Sequence, residues 1–281
     1  MIDLNGKQLY KTLMVVGNSF NCDKDCPYCT AKITVWPKGD DNWHKMKEYL
    51  ELFRKENIVF EYLTISGNGE PSLNSYNDLN MLKNLFEEYS DLFYYKRFQT
   101  SGNIFWNDKV FDLFRDYAFE ITRVSTITGY DMDILKYTKD YTKTDNFAEA
   151  QIIFNHVILK NNINNLLDDI NYYLTNYSNL YTLNLKILNL NTLDESRLNN
   201  PYSKWILDNA IQKSDYQKIV KTISREYKLI ENYNPFFDRF EWATTTNIPI
   251  TLYARKIKYG LPNIVYYRGD LVDYQLNPKK I

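Results

Sequence analysis

The chain is 281 residues long, 44% hydrophobic and 25% charged, which suits one main domain with a sizeable core and a modest extension. Its 34 basic and 35 acidic residues leave a formal charge of −1, so no global positive field draws a long nucleic acid to the surface. No run of about 18 apolar residues offers a membrane span, and Met1–Lys11 lacks the apolar core of a secretory signal, so a cytoplasmic location is expected.

Thr12–Val16 is a short apolar run ending at Gly17-Asn18 and reads as a buried strand. Trp43, Met46, Leu50 and Phe53 recur at helical spacing, which predicts a helix over Asp41–Glu56. Ile58–Ile65 is strand-like and runs straight into Ser66-Gly67-Asn68-Gly69-Glu70-Pro71. A helix carrying Leu79, Leu82 and Phe86 on one face follows, then a strand over Tyr95–Thr100 that stops at Ser101-Gly102-Asn103. The alternation continues with a helix over Asp108–Ala118, a strand over Glu120–Thr126, a short helix over Met132–Tyr137 and a strand over Gln151–Leu159. Ile163, Leu166, Leu167, Ile170 and Leu174 mark the next helix, and Thr182–Leu190 the sixth strand.

Six strands separated by helical patterns predict an α/β fold with a parallel sheet, a barrel or part-barrel spanning residues 1–190. In such folds chemistry gathers at the C-terminal ends of the strands. Residues 191–281 change character. Asn191–Pro201 is loop-like, Tyr216, Ile219, Val220, Ile223 and Tyr227 define a long helix, and Ile250–Ala254 and Ile264–Tyr267 are strand-like. This segment reads as a C-terminal helix-plus-strand extension, a lid over one end of the barrel.

Cysteine appears three times, as Cys22, Cys26 and Cys29, in the run CDKDCPYC. An odd number packed into so short a stretch is a poor disulfide framework and a good metal framework. A zinc site needs a fourth ligand, from His44 or His156, and zinc sites usually draw cysteines from two separated pairs, which are absent here. An iron–sulfur cluster is favoured. A [4Fe–4S] cluster normally takes four thiolates, so three cysteines would leave one iron open to an outside ligand.

CDKDCPYC after a first strand resembles the CxxxCxxC signature of the radical S-adenosylmethionine superfamily. The resemblance covers residues 10–190 by order of elements, although its specificity lies in two short motifs. It implies a partial (β/α)6 TIM-like barrel and a single [4Fe–4S] cluster on Cys22, Cys26 and Cys29. It further implies reductive cleavage of S-adenosylmethionine to a 5′-deoxyadenosyl radical, with electrons from a flavodoxin- or ferredoxin-type donor. Tyr28 takes the aromatic position whose backbone meets the adenine. Gly67, Asn68, Gly69, Glu70 and Pro71 stand where the family carries a GGEP-like segment for the methionine amine, with Gly-Asn-Gly replacing the commoner Gly-Gly. The glycines allow close backbone approach, and Glu70 offers a carboxylate to an ammonium. Ser101, Asn103, Arg123 and Ser125 resemble positions that meet the cofactor's ribose or carboxylate, Arg123 being suited to a carboxylate.

For Asn155 and Lys186, which alternate with apolar neighbours, an outward orientation is favoured over one lining the substrate space. His44 and His156 read as structural. The substrate is expected to be a small metabolite or nucleotide. The alternatives are a peptide or a protein, including the glycine of a partner enzyme, or a nucleic-acid base. The reading from a different class is an iron–sulfur protein that only carries electrons or binds a partner. Such a protein needs neither an open iron nor the Gly67–Pro71 turn.

Overall fold

The computed structural model describes residues 2–4, 6–17, 22–24, 26–29, 42–67, 69–123, 140–188, 200–230, 238–254, 263–267 and 270–272. Its strands are β1 (Ile2–Leu4), β2 (Lys7–Gly17), β3 (Ile58–Gly67), β4 (Phe93–Gln99), β5 (Ala118–Arg123), β6 (Gln151–Ile158), β7 (Leu180–Ile187), β8 (Lys228–Ile230), β9 (Asp238–Ala243), β10 (Ile250–Ala254), β11 (Asn263–Tyr267) and β12 (Asp270–Val272). The helices are α1 (Trp43–Lys55), α2 (Tyr76–Glu88), α3 (Asp108–Leu113), α4 (Asp145–Glu149), α5 (Leu166–Asn176), α6 (Pro201–Asn209) and α7 (Lys213–Glu226).

Strands β2 to β7 pair in chain order and in parallel, forming the six-unit core expected of a partial TIM-like barrel. The sheet is open: its order is β12-β11-β2-β3-β4-β5-β6-β7-β10-β9-β8, with β1 antiparallel on the N-terminal half of β2. Among the described residues no pairing joins β12 to β8.

Helices α1 and α2 each have a cap and an apolar stripe. Asn42 accepts from the Lys45 N–H at the start of α1, and Ser75 does the same for Asp78 on α2. Met46, Leu50 and Phe53 of α1 and Leu79, Leu82 and Phe86 of α2 are buried against Phe60, Leu63 and Ile65 of β3. Further round the sheet the same layer is aromatic. Phe98, Phe105, Phe111, Phe114 and Phe119 contact one another with ring centroids 4.8–6.2 Å apart. Each such pair contributes roughly 0.5–1.5 kcal/mol beyond its buried area.

Three differences from the sequence reading have local causes. Helix α3 ends at Leu113 rather than Ala118, because Phe114 and Tyr117 turn inward to pack on the core and lead the chain into β5. Helix α6 follows the expected loop directly: Asn200 caps the Tyr202 N–H at 2.9 Å and Pro201 stands in the first turn. The strands of the extension lie in the plane of the sheet, β10 parallel to β7 and β11 parallel to β2, rather than over one end of it. The short helix expected over Met132–Tyr137 and most of the loop before Pro201 lie outside the described residues.

Candidate active site

β2 and β3 end level with each other, Gly17 opposite Gly67 in the parallel register. From the first springs the loop that carries the cysteines, and from the second the turn that carries Glu70. The two motifs, separated in sequence by a helix, are thus neighbours at the C-terminal end of the sheet.

Within the cysteine loop the Cys29 N–H donates to the Cys26 carbonyl at 3.1 Å, closing a tight turn over Pro27 and Tyr28. Cys22 is exposed, and Cys26 and Cys29 are half-buried, all as free thiols. Partial desolvation by the surrounding loop pushes the Cys22 thiol's pKa up, opposed by a hydrogen bond with the Lys24 backbone. The charges of Glu70, Asp23 and Cys29 add to the rise, so Glu70 and Cys29 both lie within electrostatic reach of Cys22. Among the described residues no three Cys, His, Asp or Glu side chains converge into a metal-binding group.

The loop is fastened on both flanks, by Lys24, which the motif reading passed over, and by Tyr28. Lys24, buried at 8% exposure, donates to Asn103 Oδ1 at 3.3 Å and to Asp23 Oδ2 at 3.1 Å, tying the loop to the turn after β4. On the other flank the Tyr28 hydroxyl donates to the Thr122 carbonyl of β5 at 3.4 Å. Its ring packs with Val157, Leu159, Leu188 and Trp205, the Trp205 ring 6.4 Å away. A lysine between cysteines looks like a solvated loop residue, and a Trp on an unrecognised helix carries no signal of its own. Only the fold reveals either contact.

Glu70 is buried at 1% exposure. Its Oε1 accepts from the Ser72 N–H at 3.2 Å, the Ser72 hydroxyl at 2.6 Å and the Thr100 hydroxyl at 2.9 Å, and its Oε2 from the Ser101 N–H. The carboxylate therefore caps its own turn, Pro71–Leu73, and joins it to the end of β4. Gly69 and Pro71 flank it as expected, while Asn68 lies outside the described residues.

After β4, Gly102 takes φ +105°, and a side chain there would strike the Tyr141 ring. The glycine is required on both counts. Next to it the Ser101 hydroxyl oxygen is buried with no hydrogen-bond partner among the described residues. Buried polar atoms seldom stay unpaired, so this one is suited to a bound polar group.

Arg123 is placed differently. It shares the helix-facing side of β5 with Phe119 and Ile121, is 5% exposed, and donates to the Tyr177 hydroxyl at 3.0 Å. Its guanidinium sits 5.2 Å from the Phe154 ring centroid and 5.6 Å from that of Tyr141. His156, on the same side of β6, is fully buried. Burial first, and then the charge of Arg123, lower its pKa to about 3. Asp169 Oδ2 lies 3.5 Å from Nε2 but makes no hydrogen bond with it, so the ring is neutral. His156 is structural. Ser125 and Val124 lie outside the described residues.

On the opposite face of the sheet a belt of polar side chains crosses four strands. Thr251 donates to Asn184 at 2.5 Å, Asn184 to Asn155 at 3.0 Å, and Asn155 to Glu120 at 2.6 Å. Burial alone would raise the pKa of Glu120. Lys186 and Arg97, with hydrogen bonds from Asn155 and Gln99, outweigh burial and hold it below the usual carboxylate value. Asn155 and Lys186 thus face inward, against the outward orientation favoured from sequence. Their apolar neighbours pack on helices, as strands covered on both faces allow.

No protein-family model matches the sequence, and no curated protein does. Solved structures do. SuiB of Streptococcus suis, bound to the precursor peptide SuiA, superposes with a TM-score of 0.55 and 12% identity, covering 76% of this chain and 46% of SuiB. anSMEcpe with bound S-adenosylmethionine gives a TM-score of 0.57 at 15% identity, covering 78% of this chain and 60% of that one. Its complex with S-adenosylmethionine and the Kp18Cys peptide gives 0.52 over the same shares. The chain spans less than two thirds of the length of either protein. At this identity the likeness is one of fold: the chain shares the α/β fold of SuiB and anSMEcpe.

Proposed function

We propose that this chain is a radical S-adenosylmethionine enzyme with one [4Fe–4S] cluster. The observation that carries the reading is the level pairing of Gly17 with Gly67 at the C-terminal end of the six parallel strands. It sets the cysteine loop beside the Glu70 turn. Further support is that three free thiols lie on one short loop, and that the buried Ser101 oxygen, without a hydrogen-bond partner among the described residues, stands beside that turn. When bound, the cluster and S-adenosylmethionine together supply a 5′-deoxyadenosyl radical.

The chain's own residues divide the remaining work. Cys22, Cys26 and Cys29 are the cluster ligands. Gly67 and Gly69 let the backbone approach the methionine end of the cofactor, and Glu70, whose Oε2 accepts one hydrogen bond against three at Oε1, retains room there for an ammonium. Ser101 offers its hydroxyl, Asn103 holds Lys24, and Tyr28 anchors the loop whose backbone faces the adenine. Arg123 is assigned to the helix layer, as partner of Tyr177, rather than to the cofactor carboxylate. The inward-facing Lys186 and the belt below it form the wall of the substrate space.

The substrate is a small metabolite or nucleotide, with electrons from a flavodoxin- or ferredoxin-type donor. A peptide is the second reading, supported by the peptides bound to SuiB and anSMEcpe. No described helix is long and apolar enough to cross a membrane, in keeping with a cytoplasmic enzyme. The test is anaerobic: load the cluster, add dithionite and S-adenosylmethionine, and assay 5′-deoxyadenosine by mass spectrometry. Its formation, accelerated by a small metabolite or by a peptide, supports the enzyme and selects the substrate class. An intact cluster whose electron-spin signal ignores S-adenosylmethionine, with no 5′-deoxyadenosine, overturns the reading.

A further inference from the structure

Away from the cysteine loop, the sheet's inner face holds a cavity of about 1070 Å³. It is lined at the N-terminal ends of the strands by Tyr95, Ala118, Gln151 and Leu180, and reaches inward to Arg97 and Asn184. Asn184 belongs to the polar belt, which separates this cavity from the strand ends that carry the cysteines.

One wall is a built stack. Tyr62 of β3 stands opposite Tyr95 of β4, and their rings are 5.5 Å apart and inclined by 30°. Arg97, two residues along β4 and so on the same face, lays its guanidinium 3.6 Å from the Tyr62 ring centroid. A guanidinium pinned flat on a ring has its planar fork of donors set in advance. Yet the Arg97 side chain makes no hydrogen bond among the described residues. Glu120 Oε2 forms a loose ion pair with it at 3.9 Å, beyond hydrogen-bond distance, while Asn155 binds the other oxygen, Oε1.

The acidic residues of the cavity are already engaged. Glu61 pairs with Lys11 at 2.5 Å, and Asp116 with Lys83 at 2.6 Å and Lys96 at 3.2 Å. Tyrosine hydroxyls, Ser178 and Asn184 supply further neutral donors around the wall. Among the described residues no acceptor is hydrogen-bonded to the Arg97 fork, and the group that matches such a fork is a carboxylate or a phosphate.

We infer that this cavity is an oxyanion-binding site anchored by Arg97, taking a small molecule that carries a carboxylate or phosphate group. The inference does not depend on the reading of the cysteine loop. Its test is calorimetric titration of the full chain, purified anaerobically, with inorganic phosphate in one arm and acetate in the other. Saturable binding in either arm, weakened about tenfold or more by Arg97→Gln, supports the site, and the stronger arm identifies the group. Thermal melting checks that the variant is folded. If it is not, Arg97→Lys serves instead, since an ammonium keeps the charge but not the fork, and a several-fold loss is the supporting result. No saturable binding by the native chain, or unchanged affinity in the folded variant, overturns the inference.

Discussion

Glu70 and the cysteines are set apart by what surrounds them. The thiols sit on a loop held mainly by its flanks, whereas the Glu70 carboxylate is a junction for Ser72, Thr100 and Ser101. Glu70→Ala leaves several donors unsatisfied in a buried place, at a cost of about 1–3 kcal/mol each. The apoprotein should therefore lose stability in urea. Cys22→Ser should melt as the native chain does and fail to hold iron when the cluster is loaded. A Glu70→Ala apoprotein as stable as the native one would remove the carboxylate's structural role. His156 makes a different prediction. Its pKa falls from 6.5 in the unfolded chain to about 3 when folded. The unfolded state therefore binds the extra proton, and stability declines as pH drops from 6.5 towards 3, by on the order of 1 kcal/mol per pH unit. His156→Gln should flatten that slope in urea titrations at several pH values, and a slope that persists unchanged would place its origin elsewhere.

At the scale of elements, the turn after β4 concentrates strain and function in three residues. Gly102 needs its positive φ, its neighbour Ser101 donates to Glu70, and Asn103 receives Lys24. Gly102→Ala meets both the disfavoured backbone region and the Tyr141 ring. A loss of about 1–3 kcal/mol is expected, together with weaker iron loading, because Asn103 shifts with the turn. Unchanged melting and iron content would contradict that linkage. The aromatic layer is a simpler case. Phe119 contacts Phe98, Phe105 and Phe111, so Phe119→Ala should destabilise by about 3–5 kcal/mol in chemical denaturation. These elements also show why sequence periodicity succeeded where it did. The stripe Met46, Leu50, Phe53 and the stripe Leu79, Leu82, Phe86 each face a hydrophobic sheet, and burial is what apolar spacing encodes. Helix α6 buries only Ser203 and Ile206, so no apolar stripe marked it in the sequence.

For the whole molecule, the extension's strands complete the sheet at both edges instead of forming a separate layer. β10 continues from β7 and bears Thr251, the end of the polar belt, and β11 covers the C-terminal half of β2. Short edge strands flanked by few buried side chains open first. Native-state hydrogen exchange should show the amides of the edge strand β8 exchanging well before those of β5 and β6. Equal protection across the sheet would indicate that the edges are locked by further contacts.

The three cysteines, their spacing and the Gly67–Pro71 turn were decided by residue identity, since thiol chemistry and glycine's freedom are local properties. So were the six β–α units, because burial against a parallel sheet imposes its period on each segment. Which polar side chains face inward was not local. Asn155 and Lys186 sit on strands whose two faces are both covered, so alternation carries no direction. Likewise Arg123 and Arg97 are indistinguishable in sequence, each an arginine on a strand. Only the packed sheet turns the first towards Tyr177 among the helices and the second towards an inner cavity, because orientation depends on register and on which neighbour supplies a partner.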